Sequence, residues 1–118
     1  MKIDEGFSLF AGYLNYDITL RLNSNFNVGM RINSTIHTSV GGMAANVASI
    51  AASLGSKAIL FSGIGDDEIA QYLKFNLEKF GVNTSHLDLQ KGLRSPHCII
   101  QVESDGQRTI ISLSLIHI

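Results

Sequence analysis

The feature that most constrains the fold is a glycine pair, Gly41-Gly42, inside a run without Asp, Glu, Lys or Arg that covers residues 32–56. Before the pair, residues 31–40 alternate loosely and carry Thr and Ile, as a strand does. After it, Ala44, Val47, Ala48, Ala51 and Leu54 recur at helical spacing, and Gly55 stands where a helix C-cap is expected. The hydrophobic period changes at the glycines, so the chain must turn there from strand into helix. A charge-free run also raises the question of a membrane span. This one is full of Ser, Thr, Asn and Gly, and its dense apolar part, residues 43–54, falls short of the roughly 20 residues a bilayer needs. It reads as a buried helix.

The flanking sequence extends the alternation of strand and helix. Residues 7–11 form a short apolar run ending at Gly12, a first strand. Residues 18–22 alternate as Ile-Thr-Leu-Arg-Leu, a half-exposed strand, and residues 23–29 are turn-rich. Residues 57–62 read as a buried strand and residues 63–67 as a turn. Ile69, Leu73, Leu77 and Phe80 then make the stripe of a second helix, stopped by Gly81. Asp66, Asp67 and Glu68 near its start complement the helix dipole. After a polar linker, residues 98–102 form a strand, Asp105-Gly106 a hairpin turn, and residues 108–112 the return strand. This order predicts an α/β fold with a partly parallel sheet.

Composition narrows the function. Nine Lys+Arg against ten Asp+Glu give a formal charge of −1, which excludes a strongly electrostatic nucleic-acid binder. One cysteine excludes an internal disulfide framework and a Cys-rich zinc site. Asp4 and Glu5 stand where a signal peptide would be basic, so a cytoplasmic protein is expected, with no membrane partner. At 118 residues the chain is one domain at most. The last six residues, Leu-Ser-Leu-Ile-His-Ile, are the translation of CTG TCT CTT ATA CAC ATC, the mosaic-end adapter of transposase-based libraries. Residues 113–118 are therefore expected to be a non-native tail; the alternative is a genuine apolar strand.

Two clusters can carry chemistry. Asn15 and Asp17 follow Gly12 at the end of the first strand, where open α/β sheets bind ligands. An amide and a carboxylate there suit neighbouring hydroxyls, the carboxylate accepting from two at once; a turn whose side chains cap the backbone is the alternative. The second cluster, Gly41-Gly42-Met43-Ala44-Ala45-Asn46, opens the first long helix. Paired glycines admit a ligand to the backbone, and Asn46 lies in the first turn; here too a plain strand-to-helix turn is the alternative. Other signals are weaker. Gly63-Ile64-Gly65 lacks the third glycine of a dinucleotide fingerprint and is followed by acids where a pyrophosphate would sit. His37, His86 and His97 show no metal-ligand spacing, and Cys98 reads as a small buried hydrophobe. Tyr13 and Tyr16 flank Asn15 and suit either a sugar face or strand packing.

In combination these clusters resemble the ribokinase-like (PfkB) carbohydrate kinases, over residues 8–112. The family's N-terminal signature is met by Gly41-Gly42, Ala44, Asn46, Ala48, Gly55 and Gly65. Gly12, Asn15 and Asp17 look like its first-strand motif, Gly63-x-Gly65-Asp66-Asp67 like its second βα turn, and residues 105–109 like its later hairpin. The resemblance implies the N-terminal part of a Rossmann-type three-layer sandwich with a small β-sheet lid, formed by residues 18–40 and 97–112. It implies that Asn15, Asp17, Gly41, Gly42 and Asn46 bind a sugar or nucleoside. In some members an Arg at the place of Arg108 also reaches the sugar or its phosphate. ATP and Mg would serve the intact enzyme, and the lid would double as a homodimer interface. The family's second signature, Asp-Thr-x-Gly-Ala-Gly-Asp, with its anion hole and general base, does not occur in these residues. Nor do the Pro and Gly-Glu often found in the lid, and Met43 replaces the Lys of ribokinase itself. The expectation is an inactive N-terminal fragment of an ATP-dependent carbohydrate kinase, carrying no catalytic residue. A non-catalytic sugar- or metabolite-binding module derived from such a kinase is the alternative.

Overall fold

The computed structural model describes residues 6–115; Ile116, His117 and Ile118, half of the expected tail, lie outside them. Eight strands and two helices follow in the order β1 (Phe7–Ala11), β2 (Asn15–Leu22), β3 (Ser34–Gly41), α1 (Met43–Ser53), β4 (Lys57–Phe61), β5 (Gly63–Gly65), α2 (Glu68–Lys79), β6 (Asp88–Gln90), β7 (His97–Val102) and β8 (Arg108–Leu113). β1 and β4 pair in parallel, as do β5 and β6. The remaining strands form one four-stranded sheet in the order β3-β2-β7-β8. In it β2 is antiparallel to β3 and parallel to β7, and β7 and β8 form the expected hairpin.

Three local expectations are corrected. Asn15 and Asp17 are not in a turn after β1 but are the first and third residues of β2. The reason is visible in retrospect: Tyr16, Ile18, Leu20 and Leu22 alternate with Asn15, Asp17, Thr19 and Arg21 without a break, so the period-2 pattern begins three residues earlier than Ile18. Residues 63–65 are a short strand rather than part of a turn, because β6, in the stretch read as a linker, supplies a parallel partner. Three-residue strands lie below the length at which alternation is detectable.

The third correction concerns α1. Its core-facing residues are Ala45 and Ala48, both fully buried, with Ala44, Ala51 and Ala52 partly buried. Val47 and Leu54, read as core, point outward with Met43 and Ile50 at 51–83% exposure. Both faces of this helix are apolar, so periodicity cannot choose between them. Packing chooses the small residues, which let the helix backbone lie close to β4. α2 behaves as its pattern predicts, burying Ala70, Leu73 and Leu77, although Phe80 at its end is exposed. The core joins these residues to Leu14, Ala58, Leu60, Ile64 and Val82. Each fully buried Leu or Ile contributes about 1.5–3 kcal/mol.

Cap chemistry fixes the helix ends. Asp67 caps α2 by accepting the Ala70 N–H at 3.1 Å, with Glu68 in the first turn. The C-terminus of α1 closes with Gly55 N–H on the Ala52 carbonyl and Ser56 N–H on the Ala51 carbonyl, the crossed pair of a Schellman motif. The three-layer sandwich is only partly formed. In the β1/β4 sheet, Phe10, Ala58 and Leu60 face the helices, while Phe7, Leu9, Ala11 and Phe61 are exposed on the other face. Helices thus cover one face among the described residues, giving two layers there.

Candidate functional site

The site begins with how β2 and β3 meet. Asn15 pairs with Gly41 and Asp17 with Ser39, and because side chains alternate along a strand these four share one face of the sheet. The Asp17 carboxylate leans along this face until it lies over the α-carbon of Gly41. Any Cβ at position 41 would occupy the space of its carboxylate atoms. Gly41, itself buried, is thus the floor beneath Asp17.

Gly42 makes the turn. It is the N-cap of α1 with φ 95° and ψ 140°, a left-handed-side conformation, and a Cβ there would overlap the carbonyl of Tyr13. The close approach lets the Tyr13 carbonyl accept the Ala45 N–H at 3.4 Å, seating the start of α1 on the β1–β2 loop. No side chain caps this helix, and its first turn holds no acid. The result is a polar corner: a carboxylate, the Asn15 amide, and glycine backbone at an uncapped helix start.

The electrostatics of Asp17 are unusual for a structural carboxylate. Its Oδ1 is buried and accepts no hydrogen bond. Burial pushes its pKa above the ordinary 3.8, because the charged form loses water. A buried acceptor without a donor is costly to the fold. A ligand hydroxyl would satisfy it.

Other expected residues are placed differently. Asn46 is exposed in the first turns of α1 and lines a cleft of about 510 Å³ with Thr38, Ser39, Ser49, Tyr72 and Asn76. Asp17 does not line this cleft: Val40, the register partner of Tyr16, and Tyr72, packed on the Tyr16 ring, set it on the face of the sheet opposite the carboxylate, so the structure does not bring Asn46 to Asp17. Asn15 lines a different cleft, of about 410 Å³, with Tyr13, Ser112 and Leu113. Arg108 is not brought to the corner. It shares a row with Val102 and Arg21, four residues along β2 from Asp17, or about 13 Å at the usual strand rise. Tyr16 points to the opposite face, with its ring edge-on to Tyr72 and His97.

Two residues join the site that the sequence did not suggest. Cys98 pairs with Asp17 across β2–β7, and Ser112 pairs with Cys98 across β7–β8, so one row reads Ser39, Asp17, Cys98, Ser112. Cys98 Sγ lies 3.2 Å from Ser112 Oγ and 4.0 Å from Asn15 Nδ2. The thiol is half-buried on the site face rather than hidden in a core. Only long-range pairing puts it there. Two histidines have packing or hydrogen-bond partners: His86 stacks on Phe61, and His97 Nδ1 lies 2.6 Å from the Ser95 carbonyl. Among the described residues no cluster of His, Cys, Asp and Glu could hold a metal ion, and no helix is long and apolar enough to cross a membrane.

Known proteins resemble this chain in sequence and in fold. The chain is 35% identical over 68 residues to probable fructokinase-2 of Arabidopsis thaliana, covering 58% of this chain and 21% of that protein. It is 30% identical over 107 residues to the ATP-dependent ribose-1-phosphate kinase of Halopiger xanaduensis, covering 87% of this chain and 35% of that one. Among solved structures, Arabidopsis thaliana ribokinase complexed with ribose and ATP superposes with a TM-score of 0.79 at 25% identity, over 89% of this chain and 35% of that one. The chain therefore spans about a fifth to a third of the length of these relatives. Residues 7–114 match the pfkB family carbohydrate kinases, and the chain belongs to that family.

Proposed function

We propose that this chain is the N-terminal, sugar-binding portion of an ATP-dependent carbohydrate kinase. The observation that carries the reading is the buried, unpartnered Oδ1 of Asp17 in a corner built by Asn15, Gly41 and Gly42. Asp17 accepts hydrogen bonds from one or two substrate hydroxyls, and its poor solvation strengthens them. Asn15 adds an amide beside it. Gly42 offers backbone to the same ligand, and Asn46, in the first turn of α1, is assigned to it by the family resemblance alone. The four-stranded sheet acts as the lid whose closure excludes water, so that a sugar hydroxyl receives the phosphoryl group. Arg108, about 13 Å along the strand direction and two strands across from Asp17, roughly 16 Å in all, is left out of this set.

Transfer itself requires positioned phosphates, charge neutralisation and a base. ATP is the co-substrate of the intact kinase. Magnesium finds no ligand cluster among the described residues. Both, like the base, are assigned to the remainder of the kinase domain, and the chain by itself is expected to be inactive. The bare face of the β1/β4 sheet supports a missing remainder, since parallel sheets are covered on both faces. The nearest natural setting for such an enzyme is the cytoplasm, and the sheet edge at β8 is the candidate homodimer contact.

The test is Asp17→Ala in the intact kinase. Each hydrogen bond to a charged group contributes about 1.5–3 kcal/mol, so losing two lowers kcat/KM for the sugar about 100- to 10,000-fold. Unchanged kcat/KM across pentoses, hexoses and nucleosides would make Asp17 structural. Sugar binding without turnover in the intact protein would favour the binding-module alternative.

A further inference from the structure

The segment 93–97 bridges α2 and the site. Ser95 is fully buried, and its N–H and Oγ–H both donate to the Asp67 carboxylate, at 2.9 Å to Oδ2 and 2.6 Å to Oδ1. Ser95 Oγ in turn accepts the Gly65 N–H at 3.1 Å. The Leu93 carbonyl accepts the Asp66 N–H at 3.3 Å. The segment lies so flat on Gly65 that a Cβ there would overlap the Leu93 carbonyl and the Ser95 nitrogen. Burial by itself would raise the pKa of Asp67, but the hydrogen bonds from Ser95 and Ala70 outweigh it and hold the carboxyl below the ordinary 3.8.

One residue further on, the same segment grips β2. The Pro96 carbonyl accepts the Tyr16 N–H at 2.8 Å, and His97 is the register partner of Tyr16, its ring edge-on to the tyrosine. Tyr16 is the residue between Asn15 and Asp17. A line of contacts therefore runs from Asp67 to Ser95, along the chain to Pro96 and His97, and across to the site strand.

We infer that Asp67 is a positioning residue for the sugar site, acting through Ser95 to fix the start of β7 against Tyr16 and so the stations of Asn15 and Asp17. Its cap on α2 and its grip on Ser95 are separable functions of one carboxylate. Calling the site a sugar site rests on the proposed function; the latch itself does not. A carboxylate is required because three donors converge on it: Ala70 N–H, Ser95 N–H and Ser95 Oγ–H. Asparagine would retain an oxygen for the Ala70 N–H, as good a helix cap as aspartate. It would present an N–H₂ group to the Ser95 N–H.

The experiment uses this chain without sugar. Asp67→Asn and Ser95→Ala are compared with the parent by amide exchange at Tyr16, Leu73 and Leu77, and by the alkylation rate of Cys98, the sole thiol. The expected result is about tenfold faster exchange at Tyr16 and faster alkylation at Cys98 in both variants, with Leu73 and Leu77 unchanged. The double variant should be no worse than either single one. Unchanged Tyr16 and Cys98, or acceleration shared equally by Leu73 and Leu77, would overturn the inference. If Asp67→Asn does not fold, Ser95→Ala decides by the same criteria, since it leaves the cap intact. Because no sugar enters, loss of the sugar reading through an active Asp17→Ala kinase would leave this result standing.

Discussion

Gly41→Ala is the sharpest probe of the site, because one methyl group meets one side chain. Gly41 is not in a positive-φ conformation, so alanine is free of backbone strain at this position. The nearest obstacle to the added Cβ is the Asp17 carboxylate, whose three terminal atoms are its closest neighbours. Overpacking a filled position costs about 1–3 kcal/mol. With Asp17→Ala in the background the obstacle is gone, and replacing a strand glycine should then gain about 0.5–1 kcal/mol. The coupling between the two positions is thus about 1.5–4 kcal/mol. Urea titrations of the parent, both single variants and the double variant, followed by circular dichroism, measure it. A coupling below about 0.5 kcal/mol, the noise of independent sites, would refute the placement of the carboxylate over Gly41.

Two further outcomes follow from the same corner. Asp17→Asn should make the chain more stable at neutral pH and no different near pH 3. The folded pKa lies above the ordinary 3.8, so the penalty for charging Asp17 is absent in acid and sets in as pH rises through that folded value. A parent at least as stable as Asp17→Asn at pH 7 would contradict it. Gly42→Ala should be worse than Gly41→Ala by about 1–3 kcal/mol, since φ 95° adds backbone strain to the overlap with the Tyr13 carbonyl; equal midpoints in urea would count against that account.

The corner at Asp17 is a site that costs the fold something. A fully structural acid in this position would have a donor for its Oδ1, as Asp67 has for both of its oxygens. The two aspartates show the contrast within one chain. Asp67 is saturated by Ser95 and Ala70 and its pKa falls; Asp17 is left short and its pKa rises. A buried oxygen without a donor calls for a partner from outside the described residues, which is the basis of the proposal for Asp17.

Much was legible before any coordinates. The change of period at Gly41-Gly42, the capping glycines and the acids before α2 are local signals, set by φ, by hydrogen-bonding groups within a turn and by spacing. They located both helices, the hairpin and the motif residues. What they could not set was which face of an element is used. α1 has two apolar faces, and only the closeness of β4 selects Ala45 and Ala48 over Val47 and Leu54. Nor could they pair strands distant in sequence. Parallel pairing of β2 with β7 is what brings Cys98 beside Asp17 and carries Arg108 to the far end of the sheet. The sequence by itself determined the family, the two helices, the longer strands and the hairpin, and it singled out Asn15, Asp17, Gly41 and Gly42 as motif residues; the short strands β5 and β6 were beyond it. Tertiary structure alone decided that the Asp17 carboxylate rests on Gly41 with an oxygen unpaired, because that depends on register between two strands and on water being excluded around them.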